Sequence, residues 1–390
     1  MGLKRDNSFR RTVLLWVGPP AILFVGLVLL FAAHRFPGFS SWYAAHIFPI
    51  FPHTIGRFWS IFPFSGFEVL LAGLITFIVA DVLRVAIGYF KTRRRVFVYW
   101  YEKSVKTRVM AMALRFLYFL AALFLMFVLT AGINFSRESF AYHVGITVRE
   151  STIYELEQLY MLLVERAETL AGEIETDEYG RFLLGRDGIH EYARQSMYEL
   201  NRLYGGLITY FPRAKPLFFS RVLSHMNIGG FFSPWTIEAI YNSDMPGQSI
   251  PFVINHELAH VAGHMREEEA NFIAYLASRN SENVDFRYSA VYAAISYVLY
   301  DLRRVVSDER YNELFAILPE QLQRDIAAAR EYWQGFQGRA AQFSTRVNNA
   351  YLRANRQQDG VLSYGRIVEL LLAYYRDRGL LENSPLVIYV

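Results

Sequence analysis

Cysteine is absent from all 390 residues. That excludes disulfides, thiol nucleophiles and thiolate metal sites, so any metal must be held by His, Asp or Glu. Charge is sparse. Asp, Glu, Lys and Arg make up 19% of the chain against 53% hydrophobic residues, a balance too apolar for an ordinary soluble protein. Acidic residues are nearly missing from the first third: residues 1–134 hold four Asp/Glu and 15 Lys/Arg, whereas residues 135–390 hold 32 and 25. The basic stretch is also the apolar one, which reads as membrane topology and not as a nucleic-acid surface. Internal repeats and low-complexity tracts are lacking as well.

Three long apolar runs are present. Residues 12–33 carry no charge and span about 33 Å as a helix, enough for a bilayer core. The run is too long for a signal peptide and no small-x-small cleavage site follows, so it reads as an anchor. Residues 110–133 form another span, with Arg115 able to snorkel from its end. Between them, residues 69–90 carry Asp81 and Arg84, which at i and i+3 are expected to pair near the span's end. Lys4, Arg5, Arg10 and Arg11 mark the N-terminal tail, and loop 91–108 holds seven Lys/Arg, while loop 34–67 has only Arg35 and Arg57. The tail and loop 91–108 are therefore expected in the cytoplasm, and three crossings place everything after about residue 134 outside it. The protein is thus read as a multi-pass protein of the cell membrane, in contact with the lipid bilayer. Loop 34–67, rich in Pro, Phe and Trp, is expected to lie along the outer interface.

Residues 135–390 read as a separate, mainly α-helical domain of α+β type with a small sheet. Helices are expected over 151–176, 252–262, 266–277, 288–304, 307–318, 320–355 and 364–377 from their apolar spacing. Short strands are expected at 206–210, 217–223 and 235–241, with "GGFFSP" at 229–234 as a turn.

The chemistry concentrates in "INHELAHVAGHMREEEANF", residues 254–272. A helix puts i and i+4 on one face, so His256 and His260 can direct two imidazoles at one ion. Glu257 sits one residue round, close enough to meet a metal-bound water and act as its general base. The flanking residues are uncharged, as a buried active-site helix requires. A catalytic zinc site needs three protein ligands and an open position. Gly263 can end the first helix in the left-handed conformation, and a carboxylate in the first turn of the next helix can then face back. Glu267, Glu268 and Glu269 compete. Glu267 shares its face with Asn271, which could orient a ligand histidine by hydrogen bond, so this face favours Glu267, with Glu269 next. His264 reads as a polar turn residue. The three glutamates within two turns exclude a motif lying inside a membrane span.

These residues resemble the zincin metallopeptidases, within them the glutamate-ligand group whose second motif is E-x-x-A-D. "EEEAN" at 267–271 has Asn271 in place of the aspartate, and that alignment also selects Glu267. A similar E-x-x-A-N occurs in the regulatory metallopeptidases that cleave phage-type repressors. Over its full length the chain resembles a bacterial membrane family catalogued only as a domain of unknown function with zincin-like character. The features shared with it are the three spans, "PFSGFE" at 63–68, "GGFFSPWTIEAIYN" at 229–242, "HELAHVAGHMREEEANF" at 256–272 and "VNNAYLRANRQQDGVLSYGR" at 347–366. The resemblance implies a membrane-anchored zinc peptidase fold and no particular substrate. On the zincin plan, strand 235–241 would be the edge strand that pairs with an extended substrate, and Tyr364 or Tyr288 would stabilise the oxyanion.

The expectation is a zinc metallopeptidase acting on a peptide or protein at the outer membrane face, with His256, His260 and Glu267 as ligands and Glu257 as base. The alternatives are a catalytically inactive module that binds or regulates a partner, and a transporter whose spans are the working part.

Overall fold

The computed structural model describes residues 3–36, 38–93, 98–355, 357 and 360–381. The basic side chains of the tail and of loop 91–108, from which the orientation is predicted, lie outside that description. Three long apolar helices come first: Leu3–Arg35, Gly66–Arg93 and Val98–Thr130. Within them and the turn that follows the third, Leu15–Arg35, Gly66–Gly88 and Val109–Ser136 are long and apolar enough to cross a membrane. Asp81 pairs with Arg115 of the third helix, at 2.6 and 2.8 Å, and not with the predicted Arg84. A single guanidinium nitrogen, Nη2, donates to both carboxylate oxygens, and this charge-assisted contact ties the second span to the third.

The connection between the first two spans is helical and packs inward. It contains Phe39–His46, a single π turn at Pro52–Gly56, and Arg57–Ser60. Tyr43 and Phe48 are buried in the same core as Val128 and Ile133 from the end of the third span and the helices of the second half. One buried core thus continues across residue 134 and includes Tyr43 and Phe48 of loop 34–67, while Trp42, Phe58 and Phe64 of that loop stay exposed.

The second half is mostly helical. A reciprocal cap, Thr152 with Glu155, starts the helix Ile153–Ala171. Ile189–Tyr204, framed by Gly188 and Gly205, is a helix that the sequence reading passes over. Asn283 caps Val284–Val305 and Ser307 caps Asp308–Ala316. The predicted long helix over 320–355 is two, Glu320–Gln334 and Arg339–Ala354, because "GFQG" at 335–338 interrupts it. Near the C-terminal end a 3-10 helix, Gly360–Arg366, leads into Ile367–Arg376.

The sheet differs most from expectation. It has three short strands, β1 (Lys215–Pro216), β2 (Gly230–Ser233) and β3 (Glu238–Tyr241), in the order β1-β3-β2. β1 runs parallel to β3, and β2 runs antiparallel with Gly230 opposite Tyr241 and Ser233 opposite Glu238. The predicted turn at 229–234 is thus a strand, and the turn falls between Ser233 and Ile237. The predicted strand at 217–223 is mostly the helix Ser220–His225, and 206–210 belongs to no strand. The expected edge strand, 235–241, is reduced to β3 at the centre. β2 is the edge.

Candidate metal centre

The helix Ile250–Val261 packs against β2 and β3 and presents His256, Glu257 and His260 to a cleft of about 970 Å³. It ends at a left-handed Gly263, φ 85°, where the His264 N–H bonds the Ala259 carbonyl and the Gly263 N–H bonds the His260 carbonyl. This double closure is the Schellman arrangement, and glycine adopts it without the penalty that a Cβ would bring. Arg137, just past the third span, donates to the carbonyls of Ala262 and Gly206 and pins the turn. The chain then enters the helix Glu267–Arg279.

Glu267 is the glutamate that the turn brings back to the histidines. Its Oε2 lies 3.2 Å from His256 Nε2 and 3.5 Å from His260 Nε2, and the two Nε2 atoms are 3.0 Å apart. One ligand atom from each residue falls within a 4.8 Å group, and all three side chains are buried. Both histidines are oriented from behind. His256 Nδ1 is 2.8 Å from Asn271 Oδ1, and His260 Nδ1 is 2.7 Å from the His264 carbonyl. The carbonyl behind His260 can only accept, and the Asn271 oxygen facing His256 does the same, so each Nδ1 carries a proton and donates it. Imidazoles held this way turn their two Nε2 atoms and a carboxylate oxygen on the same point. Two imidazole nitrogens and a carboxylate oxygen that converge this closely, around an excess of negative charge, share a cation, and the donor set suits a metal ion in place of a proton.

The electrostatics follow from burial and from this crowding. Burial alone would raise the Glu267 carboxyl, but His260 and His256 outweigh it and hold it at about 2. Burial opposes a charge on His260, yet Glu267 and Glu257 lift it to about 9. Glu257 is raised to about 7, chiefly by burial, against the pull of the two histidines. Its Oε2 is buried with no hydrogen-bond partner among the described residues.

The other predicted residues lie elsewhere. Glu268 accepts a hydrogen bond from Gln357 Nε2 at 2.9 Å. Glu269 faces away from the two histidines, bonded to Arg266 and 3.5 Å from His264 Nδ1. His264 sits in the turn as expected but is fully buried, with burial and Arg137 holding it at about 4. Tyr288 is outside the cleft: its ring stacks on Phe182 and its hydroxyl donates to Asp325 Oδ2 at 2.5 Å. The side chain of Tyr364 lies outside the described residues.

Several cleft residues escape the sequence reading. Tyr297 and Tyr351 both line the cleft, and Tyr297 hydrogen-bonds Asn271 and has its phenol raised by burial and by Glu267. No spacing ties them to the motif; only the fold brings them there. Gly230 of β2 is the other. A Cβ on it would stand 2.8 Å from Glu257 Oε1, so its bareness lets the edge strand approach the helix.

A family model described as "Protein of unknown function (DUF3810)" matches residues 43–372. No curated protein and no solved structure matches the chain.

Proposed function

The chain belongs to the DUF3810 family, whose description carries no activity, and we propose from the site itself that it is a membrane-anchored zinc metallopeptidase with a zincin-like domain outside the cytoplasm. One observation carries this reading: two Nδ1-tethered histidines and Glu267 converge on a single point in a cleft, with Glu257 beside them. His256, His260 and Glu267 would hold zinc. Bound there, zinc would supply Lewis acidity and a water of lowered pKa.

The remaining work falls to the chain's own groups. Glu257 is the base: a buried carboxylate near neutrality, able to take the proton of the attacking water and return it to the leaving amine. β2, half-buried at the edge of the sheet, offers backbone N–H and C=O groups to an extended peptide. Tyr297 and Tyr351 are the phenols nearest to hand for the developing oxyanion. A structural metal would need no base, so the buried Glu257 carboxylate, with its Oε2 unpaired among the described residues, favours catalysis over an inactive binding module.

The test is metal content together with hydrolysis of a peptide library by the full chain, wild type against Glu257→Gln. The expected result is about one zinc per chain in both proteins and a rate about 10²–10⁴-fold lower in the variant. Bound zinc with the same absence of hydrolysis in both would favour the inactive module.

A further inference from the structure

We propose that the substrate is the juxtamembrane segment of another membrane-anchored polypeptide, taken in an extended form within a few residues of the bilayer. The proposal rests on the peptidase reading above and names what that site accepts. Its basis is that the floor of the cleft and its sheet wall are bolted to membrane-span ends.

The floor comes from the third span. Phe127 and Ala131 line the cleft together with His256 and Glu257. Counted from Val109, the first residue past the charges of loop 91–108, they stand about 27 and 33 Å along a helix axis at 1.5 Å per residue. A hydrocarbon core is about 30 Å thick, so the two residues mark its far boundary. The burial pattern agrees: Phe116, Leu117 and Leu120 are exposed, whereas Val128 and residues 130–135 are enclosed by the rest of the protein. Trp235, in the turn between β2 and β3, donates its indole N–H to the Leu123 carbonyl at 3.2 Å.

The sheet is fixed to the second span. Glu238 of β3 accepts the N–H groups of Gly66 and Phe67 at 3.0 and 2.9 Å, where that span starts. A carboxylate there meets the positive end of the helix dipole. Lys215 of β1 bonds the same carboxylate at 2.6 Å in a fully buried pair. Glu68 accepts the N–H of Phe218, whose ring is among the most exposed in the chain, beside the exposed Phe219. Bare aromatic residues at a span's end suit a lipid headgroup region and not open water. The edge strand and the metal ligands therefore stand at a set height, at the bilayer surface.

The cleft's remaining wall states the side-chain preference. Phe343, Val347 and Tyr351 follow one another at i, i+4 and i+8 along Arg339–Ala354, and all three line the cleft while staying exposed. An uncovered stripe of this kind opposite an edge strand suits apolar side chains of a bound chain.

The test uses the full protein reconstituted in lipid vesicles. Two single-span polypeptides carry the same apolar test segment on the cleft side, joined to the span by a spacer of about 3 or about 30 residues; extended chain covers about 3.3 Å per residue. Tethering both to one membrane leaves spacer length as the variable. Glu257-dependent cleavage of the short-spacer form at least as fast as the long-spacer form is expected. Slower cleavage of the short-spacer form would overturn the proposal. A second arm places a photo-crosslinker at Val347 in Glu257→Gln protein. Preferred capture of the short-spacer form, with no cleavage by wild type, would keep the docking claim and sink the peptidase reading; neither capture nor cleavage would sink both.

Discussion

Gly230 carries a constraint out of proportion to its size. A methyl group there would lie 2.8 Å from Glu257 Oε1, 2.8 Å from Val253 Cγ1 and 2.9 Å from the Ile240 carbonyl, so either the Glu257 side chain or the edge strand must move. On the proposed peptidase reading, Gly230→Ala is expected to leave zinc stoichiometry intact and to lower kcat by up to about 10²-fold, since a displacement near 1 Å costs that much at a catalytic centre. Paired metal analysis and kinetics check it, and unchanged kcat would mean that the strand yields freely. The sequence held part of this site in plain view. His256, Glu257, His260, Glu267 and Asn271 lie within 16 residues, so helical periodicity alone decides which of them share a face. Gly230 was hidden because "GG" before "FF" reads as a turn, and close approach to another element leaves no local trace. Tyr297 and Tyr351 were hidden for a related reason: 26 tyrosines supply too many candidates, and only tertiary contact selects among them.

At the level of elements, helices were legible and strands were not. Helix starts announce themselves in side chains, as Thr152 with Glu155, Asn283 and Ser307 do. Strands of two to four residues contain at most two periods of alternation, and their order depends on partners distant in sequence. The Thr152 cap also serves a second purpose. Glu155 closes the cap, bonds Arg149 at 2.8 Å and receives Arg376 at 2.9 Å in a buried pair, so the start of one helix is fastened to the end of Ile367–Arg376. Glu155→Ala strands Arg376 and is expected to cost about 3–5 kcal/mol, read from chemical unfolding in detergent. Burial would raise the Glu155 carboxyl, but Arg376, the Thr152 N–H and Arg149 together pull it below its ordinary value. Its stabilising contribution should therefore be complete above the unfolded carboxylate value, about 4.3, and vanish as pH falls through the depressed folded value. The pH dependence of stability should lose that acid limb in Glu155→Gln.

For the whole molecule, the alternation of spans is supported by length and apolarity, while the side of the membrane rests on the charge count alone. A reporter fused after Val390 should be active only if it is of the kind that works outside the cytoplasm; a cytoplasmic signal would invert the placement of the cleft. The sequence suggested two regions divided near residue 134, and composition does change there. What composition cannot show is that Phe48 packs under Gly263, close enough for a Cβ on that glycine to meet its ring at 2.9 Å. That contact has a consequence for biogenesis. Phe48 leaves the ribosome about 200 residues before its partner, an interval of about 10–40 s at ordinary synthesis rates. Tyr43 and Phe48 stay uncovered until the later chain reaches them. Closing of the core, and with it assembly of the histidine–glutamate centre, is then among the last events in making the protein, after the third crossing is complete.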